Sequence, residues 1–324
     1  MKKIISTLSV VVFLFTGSVV FQSCESDFMN ESIDNSLESI PEQYNEIGIK
    51  HNEGLEYFYQ ELRSMHTVGL KSGTTLNLSK EDYDALAKSS IKDFMRKNGY
   101  SISDKLLDNP INLSDNKSFL KSNSSEYIDP ILLELQEEIT DLINSGIAVK
   151  DMKKFKNGLD VINRKATELL SDVDAIAIYA GTSTAFNSFL YWKENYAKWV
   201  IALNYPDLLG KYTDEELNRV NITKEGLIEN SDKVQLKNWW NDAWSAVGEA
   251  WSSTSAAVSN WWDYEGGKEV VAADAGGAVS GALGGAVGSL ASGGTLSIPA
   301  AVGGGISVGC LNSIDASMQY YITR

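Results

Sequence analysis

Histidine and cysteine occur twice each and proline five times in 324 residues, which removes most of the usual means of building a reactive centre. His51 and His66 are the only imidazoles, and His51-Asn52-Glu53 lacks the HExxH spacing that sets two imidazoles and a carboxylate base on one helix face. Both histidines are therefore expected to cap or pack, with no metal. Cys24 and Cys310 are the only cysteines, and no His or Lys adjoins Cys310 to activate it as a nucleophile. Basic residues are also in deficit, 28 against 43 acidic, for a net charge of -15. A chain of that sign repels phosphates and has no basic stripe to release counterions, so nucleic acid is excluded as a partner.

Hydrophobic residues make up 43% of the chain, ample for a core in one large or two ordinary domains. The opening, "MKKIISTLSVVVFLFTGSVVFQSC", has a basic start at Lys2 and Lys3, an apolar run and small residues before Cys24. It reads as a signal peptide over 1–23. Phe21-Gln22-Ser23-Cys24 resembles the lipobox of exported lipoproteins of the Bacteroidota type. That resemblance implies cleavage before Cys24, acylation of its sulfur, no cysteine left to pair with Cys310, and a place in the cell envelope, in the outer membrane. Acyl chains add about 0.8 kcal/mol per buried methylene, so a lipidated Cys24 would hold the N-terminus in a bilayer. Between Cys24 and residue 47 lie seven acidic residues and no Lys or Arg, the composition of a tether.

The body, 48–230, reads as all-α. Leu55, Phe58, Leu62 and Met65 fall at three-four spacing in "HNEGLEYFYQELRSMH", with Asn52 available as N-cap. Ser79 and Asp82 form a capping-box pattern ahead of a helix that closes at Gly99, and 100–125 is polar and turn-rich. Asp129 and Pro130 open a helix with a stripe at Ile131, Leu135, Ile139 and Leu142, ended by Gly146. Glu134, Glu137, Glu138 and Asp141 take its solvated face. The next segment repeats the pattern at Met152, Phe155, Leu159, Ile162, Ala166 and Leu169, predicting a helical hairpin. A third helix is predicted from about 175 to 203, stopping before Tyr205-Pro206. No segment shows the alternation of a strand, so the fold class is an all-α helical bundle.

Six of the eight tryptophans lie between 236 and 265, and Trp240, Trp244, Trp251 and Trp262 share one face of a predicted amphipathic helix over 231–265. Such a stripe suits either a core or a membrane-water boundary. From Ala275 to Ile314 there is no charged residue, and twelve glycines lie between Gly276 and Gly309. Each glycine costs about 1 kcal/mol relative to alanine in a helix, so close packing must offset the tract. Gly277, Gly281 and Gly285 lie at four-residue spacing, Gly284 and Gly288 likewise, and Ala301, Gly305 and Gly309 make a second series, which places small residues on one face and lets two backbones approach. Gly293-Gly294 serves as the turn and Pro299 as the second helix start of a hairpin within 266–324. The tract resembles the glycine-zipper segments of bacteriocin-like membrane-active peptides. That resemblance implies membrane association or self-association, including a homo-oligomer. Packing of the same hairpin against its own protein is the plainer alternative.

Ser89-Ser90-Ile91-Lys92 and Ser114-Asp115-Asn116 match two penicillin-recognising patterns only by chance, because the KTG element is missing. No Walker loop or dinucleotide fingerprint occurs, so neither catalysis nor a cofactor is expected. The expectation is a non-enzymatic envelope lipoprotein whose hairpin associates with membrane or with itself. The alternative is a toxin that permeabilises a target membrane through 236–324.

Overall fold

A computed structural model describes residues 36–72, 78–108, 128–204, 209, 213–214, 222–223, 226–227, 255–264, 266–291 and 297–321. The described part is all-α. Helix α1 runs Glu42–Ser72, α2 Lys80–Lys97, α3 Asp104–Asp108, α4 Pro130–Asn144, α5 Ile147–Lys150, α6 Met152–Leu169 and α7 Asp172–Asn204. Three helices follow near the C-terminus: α8 (Ser255–Tyr264), α9 (Gly267–Ala291) and α10 (Ile298–Tyr321). A two-residue antiparallel ladder, Ile222–Thr223 with Gly226–Leu227, is the sole extended pairing among the described residues.

Local signals set several boundaries. Asp82 N–H donates to Ser79 Oγ at 3.1 Å while Ser79 N–H donates to the Asp82 carboxylate at 2.9 Å, so the capping box closes both ways. Asp129 accepts from Ile131 N–H at 2.9 Å with Pro130 opening α4. Gly99 and Gly146 end α2 and α4 at φ 81° and 67°, a backbone region that residues with a Cβ rarely enter. Helix α7 stops one residue before Tyr205-Pro206.

Elsewhere tertiary contacts override the local pattern. The acidic tether expected over 24–47 overlaps the body: Leu37, Ile40, Tyr44 and Ile47 are buried and α1 already starts at Glu42. Four apolar side chains spaced among the acids suffice to dock the segment. Asn52 lies well inside α1 and caps nothing; its amide donates to the Asn187 carbonyl of α7 at 2.9 Å. On α4 the buried set is Leu132, Leu135, Ile139 and Ile143, rotated from the expected Ile131 and Leu142. Leu169, at the end of α6, is 54% exposed. Part of the expected loop over 100–125 is the short helix α3.

Helix α7 is buried all round and forms the axis of the body, as expected of a helix without a polar face. Around it lie α1, α4, α6 and the α9–α10 pair, with α2 bridging α1 and α10. Aromatic residues fill the space between α6, α7 and α8: Phe189 meets Phe155, Trp261 and Trp262 with ring centroids 6.1, 6.2 and 5.2 Å away. Trp192 and Trp199 of α7 stack between Phe58 of α1 and Tyr321 of α10. Nearer the start of α1 its contact with α7 is polar and close. Ser183 Oγ accepts from Gly48 N–H at 3.1 Å and donates to the Asn45 carbonyl at 3.0 Å, and a Cβ at Gly48 would strike the Ser183 carbonyl.

Candidate functional site

The C-terminal hairpin, uncharged from Ala275 to Ile314, is made by α9 and α10, whose bounds take in the glycine series and the Pro299 helix start. Their seam is backbone against backbone. A Cβ on Gly281 would overlap the Gly304 carbonyl oxygen, one on Gly285 the Ala300 carbonyl oxygen, and one on Gly277 would lie 2.9 Å from the Val308 carbonyl oxygen. Gly277, Gly281 and Gly285 thus do what their spacing requires. Gly288 does not: nothing lies within 4 Å of where its Cβ would be, because the seam runs out near the start of α10.

The second series is offset from the closest contacts by one residue. From α10 the tightest approach is made by Ala300, Gly304 and Val308, while Ala301, Gly305 and Gly309 line the same seam less tightly, a Cβ on Gly305 lying 3.2 Å from the Ala278 carbonyl oxygen and one on Gly309 3.4 Å from the Asp274 carbonyl oxygen. Gly305 also faces Ala180 of α7, at 3.3 Å from a Cβ, and Gly309 faces the His51 ring of α1 at 3.1 Å. Glycines outside the tract continue the same device. Gly54 of α1 sits against Cys310, and Gly181 of α7 against Val279 of α9. The zipper faces are therefore occupied by the chain's own helices. Over Gly267–Ser289, α9 is long and apolar enough to cross a membrane, with mean hydropathy 1.4, yet 72% of that stretch is buried inside the protein.

Of the tryptophan stripe, Trp262 is buried beside Trp261, while Trp240, Trp244 and Trp251 lie outside the described residues. Cys24 and Ser114-Asp115-Asn116 also lie outside them. His66 is buried in α1, and Cys310 is a free, buried thiol. Among the described residues no group of three His, Cys, Asp or Glu is placed to hold a metal.

One constellation is invisible in the sequence. Asp274 of α9 is fully buried, and so are His51 of α1, Ser188 and Trp192 of α7, and Cys310 and Ser313 of α10. The Ser188 hydroxyl and the Trp192 indole N–H, the latter at 3.0 Å, both donate to Asp274 Oδ2. Trp192 Nε1 also reaches Ser313 Oγ at 3.2 Å, so one indole holds both hairpin helices. His51 Nε2 stands 3.9 Å from Asp274 Oδ2, and the Cys310 thiol donates to the His51 carbonyl at 3.3 Å. His51 Nε2 and Asp274 Oδ1 have no hydrogen-bond partner among the described residues. Burial pushes the Asp274 carboxyl above its ordinary value, against the lowering influence of His51, Ser188, Ser313 and Trp192. Burial likewise pushes the Cys310 thiol well up, with Asp274 adding to the rise.

Serine, histidine and aspartate meet here, but not in the order of a nucleophile and its base. Ser188 Oγ bonds the carboxylate, and His51 Nδ1 contacts Asn52 Oδ1 at 3.0 Å. The arrangement does not activate Ser188; it ties α7 to α9 through one buried acceptor, while Trp192 also reaches α10 and Cys310 ties α10 to α1. Sequence reasoning passed over Asp274 because it stands at the edge of the uncharged tract, where an acidic residue looks like a helix end. The only signal was its position one residue ahead of an otherwise charge-free run.

These features define an all-α protein with a glycine-seamed apolar hairpin enclosed by its own helices. No protein-family model, curated protein or solved structure matches the chain.

Proposed function

We propose that the chain is a non-enzymatic envelope lipoprotein, tethered to the outer membrane by acylated Cys24, that stores a membrane-associating hairpin inside a helical sheath. The observation that carries this reading is the α9–α10 seam. Its closest contacts, Gly281 to Gly304 and Gly285 to Ala300, lie within the hairpin, so the pair is a close-packed unit before any bilayer is involved. Around it α1, α2, α4 and α7 supply the apolar surroundings that a bilayer would otherwise supply. The burial of α9 favours storage over permanent insertion, and its length and hydropathy favour the bilayer once the sheath opens. Permeabilisation of a target membrane is the stronger form of the same reading.

A reversible lock tests it. A Cβ at Gly54 would lie 2.7 Å from Cys310 Sγ, close to the roughly 3 Å between a Cβ and the far sulfur of a disulfide. In a Cys24→Ser background, Gly54→Cys joins α1 to α10 on oxidation. The reduced protein is expected to release dye from zwitterionic phosphatidylcholine vesicles, whose surface does not repel a chain of net charge -15, and the oxidised protein is not. No release by the parent or the reduced protein, or equal release when locked, would overturn the proposal.

A further inference from the structure

The α9–α10 hairpin has two kinds of seam. Within it, glycines bring the two backbones into contact, with the Val308 and Asn312 side chains packed beside them. Between it and the sheath, apolar contacts such as Val279 against Gly181 of α7 are joined by one polar cluster: Ser188 and Trp192 of α7 donate to Asp274, Trp192 also meets Ser313, and the Cys310 thiol donates to the His51 carbonyl of α1. We infer that the Asp274 cluster is a latch that docks the hairpin onto α1 and α7 and can open while the glycine seam stays closed. The inference rests on the reading of the hairpin as a stored unit.

Three observations support it. First, the cluster lies where α1, α7, α9 and α10 converge, and its hydrogen bonds run from α7 to both hairpin helices and from Cys310 of α10 to α1. Second, a buried carboxylate is a poor way to stabilise an apolar interface, since well-packed apolar residues of similar volume often do as well or better. What it does supply is register, because smooth surfaces of Ala, Gly and Val can slide whereas Ser188 and Trp192 must find Oδ2. Third, the cluster is incompletely satisfied: among the described residues, the buried Asp274 Oδ1 and His51 Nε2 have no hydrogen-bond partner. A buried network with unmet groups is a weak point in an otherwise close-packed body. The glycine seam has no such defect.

The chain carries its own reporter. With Cys24→Ser, Cys310 is the sole thiol, and it is wholly buried between α10 and α1 until they part. Its labelling by an aromatic disulfide reagent under native conditions reads docking, and amide exchange along Gly281 to Val308 reads the glycine seam. Ser188→Ala removes one donor to Asp274 and no other contact to the hairpin, whereas Trp192→Phe removes the second donor together with its contact to Ser313. Ser188→Ala is expected to speed Cys310 labelling about 5- to 10-fold, the effect of one lost buried hydrogen bond, and Trp192→Phe at least as much, while exchange within the hairpin seam is unchanged. Thr182→Val is the control, because Thr182 Oγ1 donates to Asn163 Oδ1 at 2.7 Å and ties α7 to α6 instead. It should leave labelling unchanged.

Unchanged labelling in Ser188→Ala, equal acceleration by Thr182→Val, or hairpin exchange rising in step with labelling would each overturn the latch, the last by showing one cooperative core. Vesicle leakage plays no part in this test. A latch that opens in a protein that never releases dye would sink the membrane reading alone.

Discussion

If the glycines of α9 exist for the seam, replacing them with alanine should have opposite effects at neighbouring turns of one helix. Alanine is favoured over glycine by about 1 kcal/mol inside a helix, and that gain is common to every site. At Gly288 nothing lies within 4 Å of a new Cβ and the position is exposed, so the gain is realised, reduced to about 0.5 kcal/mol by fraying near the helix end. At Gly281 the Cβ would overlap the Gly304 carbonyl, a backbone atom that moves only if α10 moves. Overpacking of this kind costs about 1–3 kcal/mol, and with a backbone atom in the way the upper half of that range applies, which leaves a net loss of about 1–2 kcal/mol after the propensity gain. Gly281→Ala with Gly304→Ala should lose less than the sum of the two, since helices already forced apart accommodate the second methyl. Urea unfolding of the Cys24→Ser protein at constant slope measures all four variants. Gly281→Ala as stable as the parent, or a shift of the same sign at Gly281 and Gly288, would refute the seam as the reason for the glycines.

The Asp274 carboxyl should make stability depend on pH in a stated direction. Burial raises its folded value above the 3.8 of an unfolded chain, so its contribution is fully present below that value and is lost as pH rises through the folded value. Asp274→Asn, which keeps an acceptor for Ser188 and Trp192, should therefore gain on the parent in urea midpoint between about pH 4 and about pH 7. A parent that gains on the variant with rising pH would show that the cluster favours the carboxylate. At the other end of the chain, Cys24→Ser should move the protein from the detergent phase to the aqueous phase on cloud-point partitioning. Retention in the detergent phase would mean that some other part of the chain holds the membrane.

The helices were legible because their signals act over three or four residues. Ser79 with Asp82, Asp129 with Pro130, and the glycines at 99 and 146 each fix a boundary through bonds to near neighbours in the chain. The hairpin was legible for the same reason, as small residues every fourth position form a face in any helix. Which face meets which helix was not. A helix that is apolar or small on all sides has no polar stripe to orient it, so Gly304 could make the closest approach to α9 while Gly305 and Gly309 met α9 less tightly and α7 and α1 as well. The start of the body was misjudged because four apolar side chains among many acids bury well only against surfaces contributed from elsewhere in the chain.

By itself the sequence determined the all-α class, most helix ends and the existence of a close-packed C-terminal hairpin. Those properties follow from backbone hydrogen bonding and side-chain spacing within a turn or two. Only the tertiary structure decided that the hairpin lies inside the protein, and that His51, Ser188, Asp274, Cys310 and Ser313 meet at one buried point. Ser188 and Asp274 are 86 positions apart and Cys310 and His51 are 259 apart. No local rule spans those distances; the meeting is fixed by how four helices share α7 as their axis.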